Sequence, residues 1–262
     1  MLAAALAVAA PAAGGVAEAI RYLEDEVPRW RRENNCYSCH NNGDGARALF
    51  AAGRREAAAD SLRWLENPDQ WDDKPLARVQ FASALAAAGS PVLARVADRV
   101  RRDQQSDGHW RVDEETGPGS PATYGPVLGT YLARRILEQA GGEAYRDSIA
   151  RANAWLAARE VSHPLDLAAR VMALRGPGDI ARLLKLQAPN GSWNSEPFDT
   201  AVAILALKSE PAASEAVQRA RKYLLETQLE PGGWPGTTRP AGGGSYAQHI
   251  STTAWCLLAL LD

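Results

Sequence analysis

The residues of this chain best suited to chemistry lie together in Asn35 to Gly45, N-C-Y-S-C-H-N-N-G-D-G. Cys36, Cys39 and His40 form a C-x-x-C-H string, the attachment signature of a c-type haem: two thiols add to the porphyrin vinyl groups and the adjacent imidazole takes one axial position on iron. Two intervening residues let both sulfurs reach one edge of the macrocycle, while the next residue turns back over its face. On this reading Cys36 and Cys39 hold the cofactor and His40 is the proximal ligand. The sixth position is open or filled by His109, His163, His249 or Met172. The same residues also read as a Cys36–Cys39 disulfide, or as a zinc site that takes a fourth ligand from Cys256 or His249. Cys256 itself sits in an apolar segment and is expected to be a buried, inert thiol.

The elements that position this string must be helices. The chain has 262 residues, is 46% hydrophobic and carries a formal net charge of −2. It can therefore bury a sizeable core, and its charge makes no case for nucleic acid or an anionic membrane. No apolar run approaches the roughly 20 residues that span a bilayer. Residues 1–15, M-L-A-A-A-L-A-V-A-A-P-A-A-G-G, read as the apolar core and small-residue end of a secretory leader without its basic start. That implies export, and covalent haem attachment is a chemistry of the periplasmic side. Residues 16–262 then form one domain.

Internal repetition sets the architecture. Gln104, Gln187 and Gln228 each open a Q-x3-G-x-W turn, which runs to Trp110, Trp193 and Trp234. Each turn follows an amphipathic stretch and precedes an apolar one, as Ala220 to Thr227 precedes Q-L-E-P-G-G-W and His249 to Leu261 follows it. Weaker copies begin at Arg21-Tyr22-Leu23, Arg63-Trp64-Leu65 and Ala154-Trp155-Leu156, with second segments at Gly45 to Ala52, Pro75 to Ala88 and Pro164 to Leu174. Gly53, Gly89 and Gly176 are expected to stop those segments as C-terminal caps. The period of about 40 residues gives six helical hairpins, with charged-faced first helices outside and apolar second helices inside. The last segment is apolar to its end, so closure into a ring is preferred to an open solenoid. Closure brings the last hairpin beside the first, which favours His249 as the sixth ligand.

The Q-x3-G-x-W turns, together with the D-T-A-x-x-I-L-A-L helix at Asp199 to Leu207, resemble the repeats of the prenyltransferase and squalene-cyclase superfamily. That resemblance implies an all-α fold, an α/α toroid of two concentric helical rings around a central cavity. Squalene-type cyclases protonate their substrate with a D-x-D-D cluster; here there is only the pair Asp72-Asp73, expected to be solvated carboxylates at a helix start. Protein prenyltransferases of this fold bind zinc through Asp-x-Cys and a later His. Asp199-Thr200-Ala201 and His249 stand in similar places, with alanine where the cysteine would be, so a catalytic zinc would keep only two ligands.

Placed on this frame, the cysteine string occupies the first hairpin's turn, so a haem would lie over the mouth of the cavity. Asn41, Asn42, Gly43 and Asp44 read as a polar turn and N-cap. The turn tryptophans are expected to pack between repeats. Tyr124, Phe198, Tyr246 and Trp255 are expected to line the cavity, and Pro235 to Ser245 to form a flap beside it. The leading expectation is an exported single-haem electron carrier or redox sensor with a redox partner protein. The alternatives are a cyclase or transferase acting on an apolar small molecule in the cavity, and a binding module whose cysteines are a zinc site or clasp.

Overall fold

The structure, a computed structural model, describes residues 14–71, 74–112, 124–237 and 245–261. The expected leader, the Asp72-Asp73 pair and most of the expected flap lie outside them. Among the described residues the chain is helical throughout. Six hairpins follow in order: α1 (Val16–Asn34) with α2 (Ala46–Ala51), α3 (Ala59–Leu65) with α4 (Pro75–Ala88), and α5 (Leu93–Arg102) with α6 (Gly125–Gln139). Then come α7 (Arg146–Ala158) with α8 (Pro164–Leu174), α9 (Pro177–Lys185) with α10 (Pro197–Leu207), and α11 (Ser214–Thr227) with α12 (Tyr246–Leu260).

The two helix kinds follow from their sequences. In α5, Leu93, Val96, Ala97 and Val100 are buried and the arginines between them face out, the i, i+3, i+4, i+7 stripe of a helix with one wet side. In α10 nearly every residue from Pro197 to Leu207 is buried, so this helix has no wet side. Pro75, Pro164, Pro177 and Pro197 open their helices at the first position, where a missing N–H costs nothing. The cap assignments hold at Gly89 and change at Gly176. The left-handed residue that ends α8 is Arg175, at φ 53°, and Gly176 is instead the N-cap of α9.

The inner helices pack in the cycle α2, α4, α6, α8, α10, α12 and back to α2, so the ring closes. The outer helices α1, α5, α7 and α11 each lean on the inner helix of their own hairpin and that of the one before, α1 taking α12 as that predecessor, while α3 rests on α4 and α9 on α8. Three turns join neighbours by one repeated device. Gln104, Gln187 and Gln228 each donate from Nε2 to the carbonyl of their turn glycine and to a carbonyl at the start of the next outer helix, of Ser148, Ala216 and Gly15 respectively. Trp110, Trp193 and Trp234 are fully buried, donating from Nε1 to the carbonyls of Val100, Leu183 and Leu224. Their backbone N–H groups donate to Thr130, Thr200 and Thr253 of the inner helices.

The glycine is obligatory in this device. At Gly191 φ is +89°, and a Cβ there would stand 2.4 Å from the Arg219 carbonyl oxygen; Gly108 and Gly232 meet Arg151 and Glu18 in the same way. The last turn grips residues 15 and 18 at the start of α1. Closure is therefore built from the same parts as every other repeat contact.

Candidate functional site

The cysteine string departs from the expected surface turn. After the left-handed Asn35, residues Cys39–Gly45 form a π-helical turn that runs directly into α2. Asn41 to Asp44 are buried in it, and the cap is Ser38, whose Oγ accepts from Asn41 N. Burial of so polar a stretch requires partners, and they are present. Ser38 N donates to Asn42 Oδ1, and Asn42 Nδ2 donates to Ser61 Oγ of α3 at 2.8 Å. Asn41 Nδ2 donates to the Glu26 carbonyl of α1 and to Tyr246 Oη of α12, each at 2.9 Å. Gly45 is needed for this packing, because a Cβ there would lie 2.8 Å from Val27 Cγ2.

His40 is correspondingly deep, at 7% exposure. Trp30 meets its ring edge-on at a centroid distance of 4.9 Å and Tyr246 does so at 5.8 Å, while Trp30 and Tyr246 stack on each other at 5.6 Å. Neither His40 nitrogen has a hydrogen-bond partner among the described residues, and neither does the adjacent Trp30 Nε1. Burial pushes the His40 pKa down to about 4, so the imidazole is neutral at pH 7. Tyr246 donates from Oη to Glu26 at 2.6 Å, and burial together with that carboxylate pushes its pKa up. Cys36 is exposed and Cys39 half-buried at the start of the π-helical turn.

The other candidates are dispersed. His249 Nδ1 sits 3.1 Å from the Trp234 carbonyl, and His109 Nδ1 pairs with Asp107 at 2.6 Å while its ring stacks on Trp155. His163 caps α8 through Nδ1, and its Nε2 lies 2.9 Å from Asn194 Nδ2. Met172 is partly buried against the core. Cys256 is buried in α12, donates to the Pro197 carbonyl, and has its pKa raised by burial. Among the described residues no three His, Cys, Asp or Glu side chains converge as metal ligands.

Aromatic side chains expected to line a cavity come together at the axis of the ring. Tyr124, Phe198 and Trp255 do meet there, packed against each other at 5.7 to 5.8 Å. Tyr246 lies elsewhere, over His40. At the centre is a residue absent from the sequence candidates except as a cap, Asp44, 1% exposed. It accepts from Tyr124 Oη at 2.6 Å, Gln80 Nε2 at 2.7 Å and Ser251 Oγ at 2.8 Å, and Trp255 Nε1 donates to Tyr124 Oη at 2.7 Å. The Arg47 guanidinium lies over the Trp255 ring at 4.6 Å. Burial raises the Asp44 pKa, and its three donors and Arg47 oppose that rise. The signal for this network was legible: Arg47, Gln80 and Ser251 are polar residues in otherwise apolar inner helices, and a buried polar group is the informative exception.

Three comparisons with known proteins bear on this geometry. Residues 124–234 match the model of the squalene-hopene cyclase C-terminal domain. No curated protein matches the chain. The apo structure of the type II terpene cyclase MstE from Scytonema is similar over 92% of this chain and 97% of its own, at 14% identity and a TM-score of 0.58. The fold is thus the terpene-cyclase-like α/α toroid, carrying squalene-cyclase-like repeats in its second half.

Proposed function

We propose that this chain is an exported redox protein that carries one covalently attached haem at Cys36 and Cys39 on a cyclase-type toroid. The observation that carries the reading is the state of His40: a neutral imidazole, buried, with neither nitrogen partnered among the described residues, directly after Cys39 and four residues after Cys36. A buried polar atom without a partner is costly and asks for an explanation, and iron ligation supplies one. The donor set fits. Cys36 and Cys39 would hold the porphyrin edge and His40 the iron. When bound, the haem would supply one-electron chemistry, its potential set by burial, and His249, which the structure places at the Trp234 carbonyl, would be a candidate for holding the iron besides His40. This chain's own part is to keep His40 unprotonated and to fix the Cys turn through Asn41 and Asn42. Ligation needs an imidazole edge uncovered, so Trp30 or Tyr246 must move aside on attachment.

The test is maturation with haem-attachment machinery followed by a visible spectrum. A Soret band that survives denaturation, and is lost in a Cys36→Ala, Cys39→Ala double variant, is expected. Two thiols still open to titration and no band would refute the proposal.

A second reading, a terpene-cyclase-like enzyme, is favoured by the comparisons over the first, and by Asp44. This buried carboxyl, its pKa raised, stands among Tyr124, Phe198 and Trp255, the surroundings a carbon–carbon double bond would need for protonation and a cation for shielding. Fold likeness alone does not set activity. Incubation with squalene decides it: a cyclic product lost in Asp44→Asn would establish the enzyme, and recovery of squalene alone would remove it.

A further inference from the structure

The end of the ring opposite the cysteine turn carries a recess of about 230 Å³ that neither reading uses. It lies where the C-terminal turns of four inner helices gather: Ala51 of α2, Ala86 and Ala87 of α4, Ile136 and Gln139 of α6, and Leu258 of α12. Leu132 completes an apolar wall. Two guanidiniums, of Arg47 and Arg135, share this space, and no carboxylate is among its lining residues.

We propose that this recess binds a small monocarboxylate with a short apolar tail, its carboxylate held between Arg47 and Arg135. The first support is Arg47. Its Nη1 is buried with no partner among the described residues, and its only ring contact is the face of Trp255. A guanidinium has five donors in a planar fork that matches a carboxylate, so leaving it bare in a walled site is costly. The second support is like charge. Burial and the neighbouring Arg135 both push the Arg47 pKa down, against the pull of Tyr124 and Asp44, and an anion between the two arginines relieves that opposition. Arg135 is exposed and, among the described residues, donates from Nη1 to Tyr131 Oη at 3.0 Å, so it can turn to a ligand.

The charge and size of the ligand follow from the same surroundings. The recess faces the C-terminal ends of the inner helices, the negative ends of their dipoles, which penalise a dianion more than a monoanion. Two arginines, one already drawn toward Asp44, suit a single negative charge. At about 30 Å³ per water-sized group, the space holds roughly six to ten heavy atoms. Leu132, Ile136 and Leu258 cover the tail.

Isothermal titration of the full chain with sodium hexanoate, 1-hexanol and inorganic phosphate tests this. Hexanoate is expected to bind with a Kd of about 1 mM or tighter, and hexanol and phosphate at least tenfold more weakly. Arg135→Gln, at an exposed position that leaves folding intact, should weaken hexanoate about tenfold or more without changing hexanol. Arg47→Gln should act in the same direction where its melting curve shows a folded protein. Equal binding of hexanol and hexanoate would overturn the proposal, since the recess would then be merely apolar. Phosphate binding more tightly than hexanoate would overturn the monocarboxylate class. So would hexanoate heat that Arg135→Gln leaves unchanged, or no heat from any of the three. Haem attachment and cyclisation are read by other signals, so failure here is distinct from failure of either reading above.

Discussion

Protonation of His40 is the perturbation whose cost can be worked directly from the fold. In the unfolded chain the imidazole titrates near 6.5; in the folded protein burial holds it down to about 4. Between those values the unfolded state binds a proton that the folded state refuses. The His40 contribution is therefore fully present above pH 6.5 and is lost as the pH falls toward 4. At 1.36 kcal/mol per pKa unit the loss is about 3 kcal/mol. Other groups also titrate over this range, Asp44 with the opposite sign, but they are common to the wild type and a His40→Leu variant and cancel in their difference. Urea unfolding of both proteins without haem, at pH 7.0, 5.5 and 4.5, isolates the His40 contribution. At pH 7 the leucine variant should be at least as stable as the wild type, because two unpartnered polar atoms are removed. Its advantage should widen by about 2 to 3 kcal/mol toward the lowest pH. Parallel stability curves would refute the account, and would mean that His40 finds a partner or solvent in solution.

Substitutions at three further positions probe the scaffold. Gly191→Ala puts a Cβ 2.4 Å from the Arg219 carbonyl oxygen at φ +89°, and should cost more than 2 kcal/mol, a fall in Tm of about 5 to 10 °C in a calorimetric scan; a Tm unchanged within about 1 °C would refute the clasp. Asp44→Asn should cost under about 1 kcal/mol, because the Gln80 amide can turn its unpartnered Oε1 to the new NH2 group. Asp44→Ala strands the donors of Tyr124, Gln80 and Ser251 and should cost more than 3 kcal/mol; equal losses in the two variants would show that the carboxylate charge, not its hydrogen bonds, is what the axis needs. Gln228→Ala removes the bonds to Gly15 and Gly232, so amide exchange should accelerate in α1 while α5 and α7 stay protected. Uniform exchange across the ring would deny that this turn is its seam.

The architecture was legible because its signals are local. Proline at the first helical position, the stripe of Leu93, Val96, Ala97 and Val100, and the Q-x3-G-x-W spacing each act within one hairpin. The α4 and α8 segments fall on their expected bounds for that reason. The site was legible only in part. The C-x-x-C-H string marks donor atoms but not depth, and depth is decided by packing from other helices: Trp30 of α1 and, from the far end of the chain, Tyr246 of α12 close over His40. Asp44 looked like a cap because N-N-G-D-G has turn composition. What makes it a core residue is the convergence of Gln80, Tyr124 and Ser251 from three other hairpins, which no single-window pattern contains. Gly176 failed as a cap for a smaller reason: Arg175 takes the left-handed position itself, with Nη1 bonded to Ser209 and Glu210 across the next repeat.

Closure of the ring also constrains where chemistry can occur. Every inner helix is covered on both flanks by its neighbours, and the axis between them is occupied by Asp44, Tyr124, Phe198 and Trp255. Solvent and ligands therefore meet the inner ring at its two ends. A single helical run, the π-helical turn continuing into α2, reaches from one end to the other: His40 lies under Trp30 and Tyr246 near the cysteines, Asp44 fills the axis, and Arg47 lines the far recess. These three ionisable residues are joined through covalent helix rather than loops. The Asp44 pKa answers to Arg47, while its donors Gln80, Tyr124 and Ser251 come from α4, the start of α6 and α12. Asp44, at the axis, thus sits on the same helical run as the groups at both ends, between His40 and Arg47.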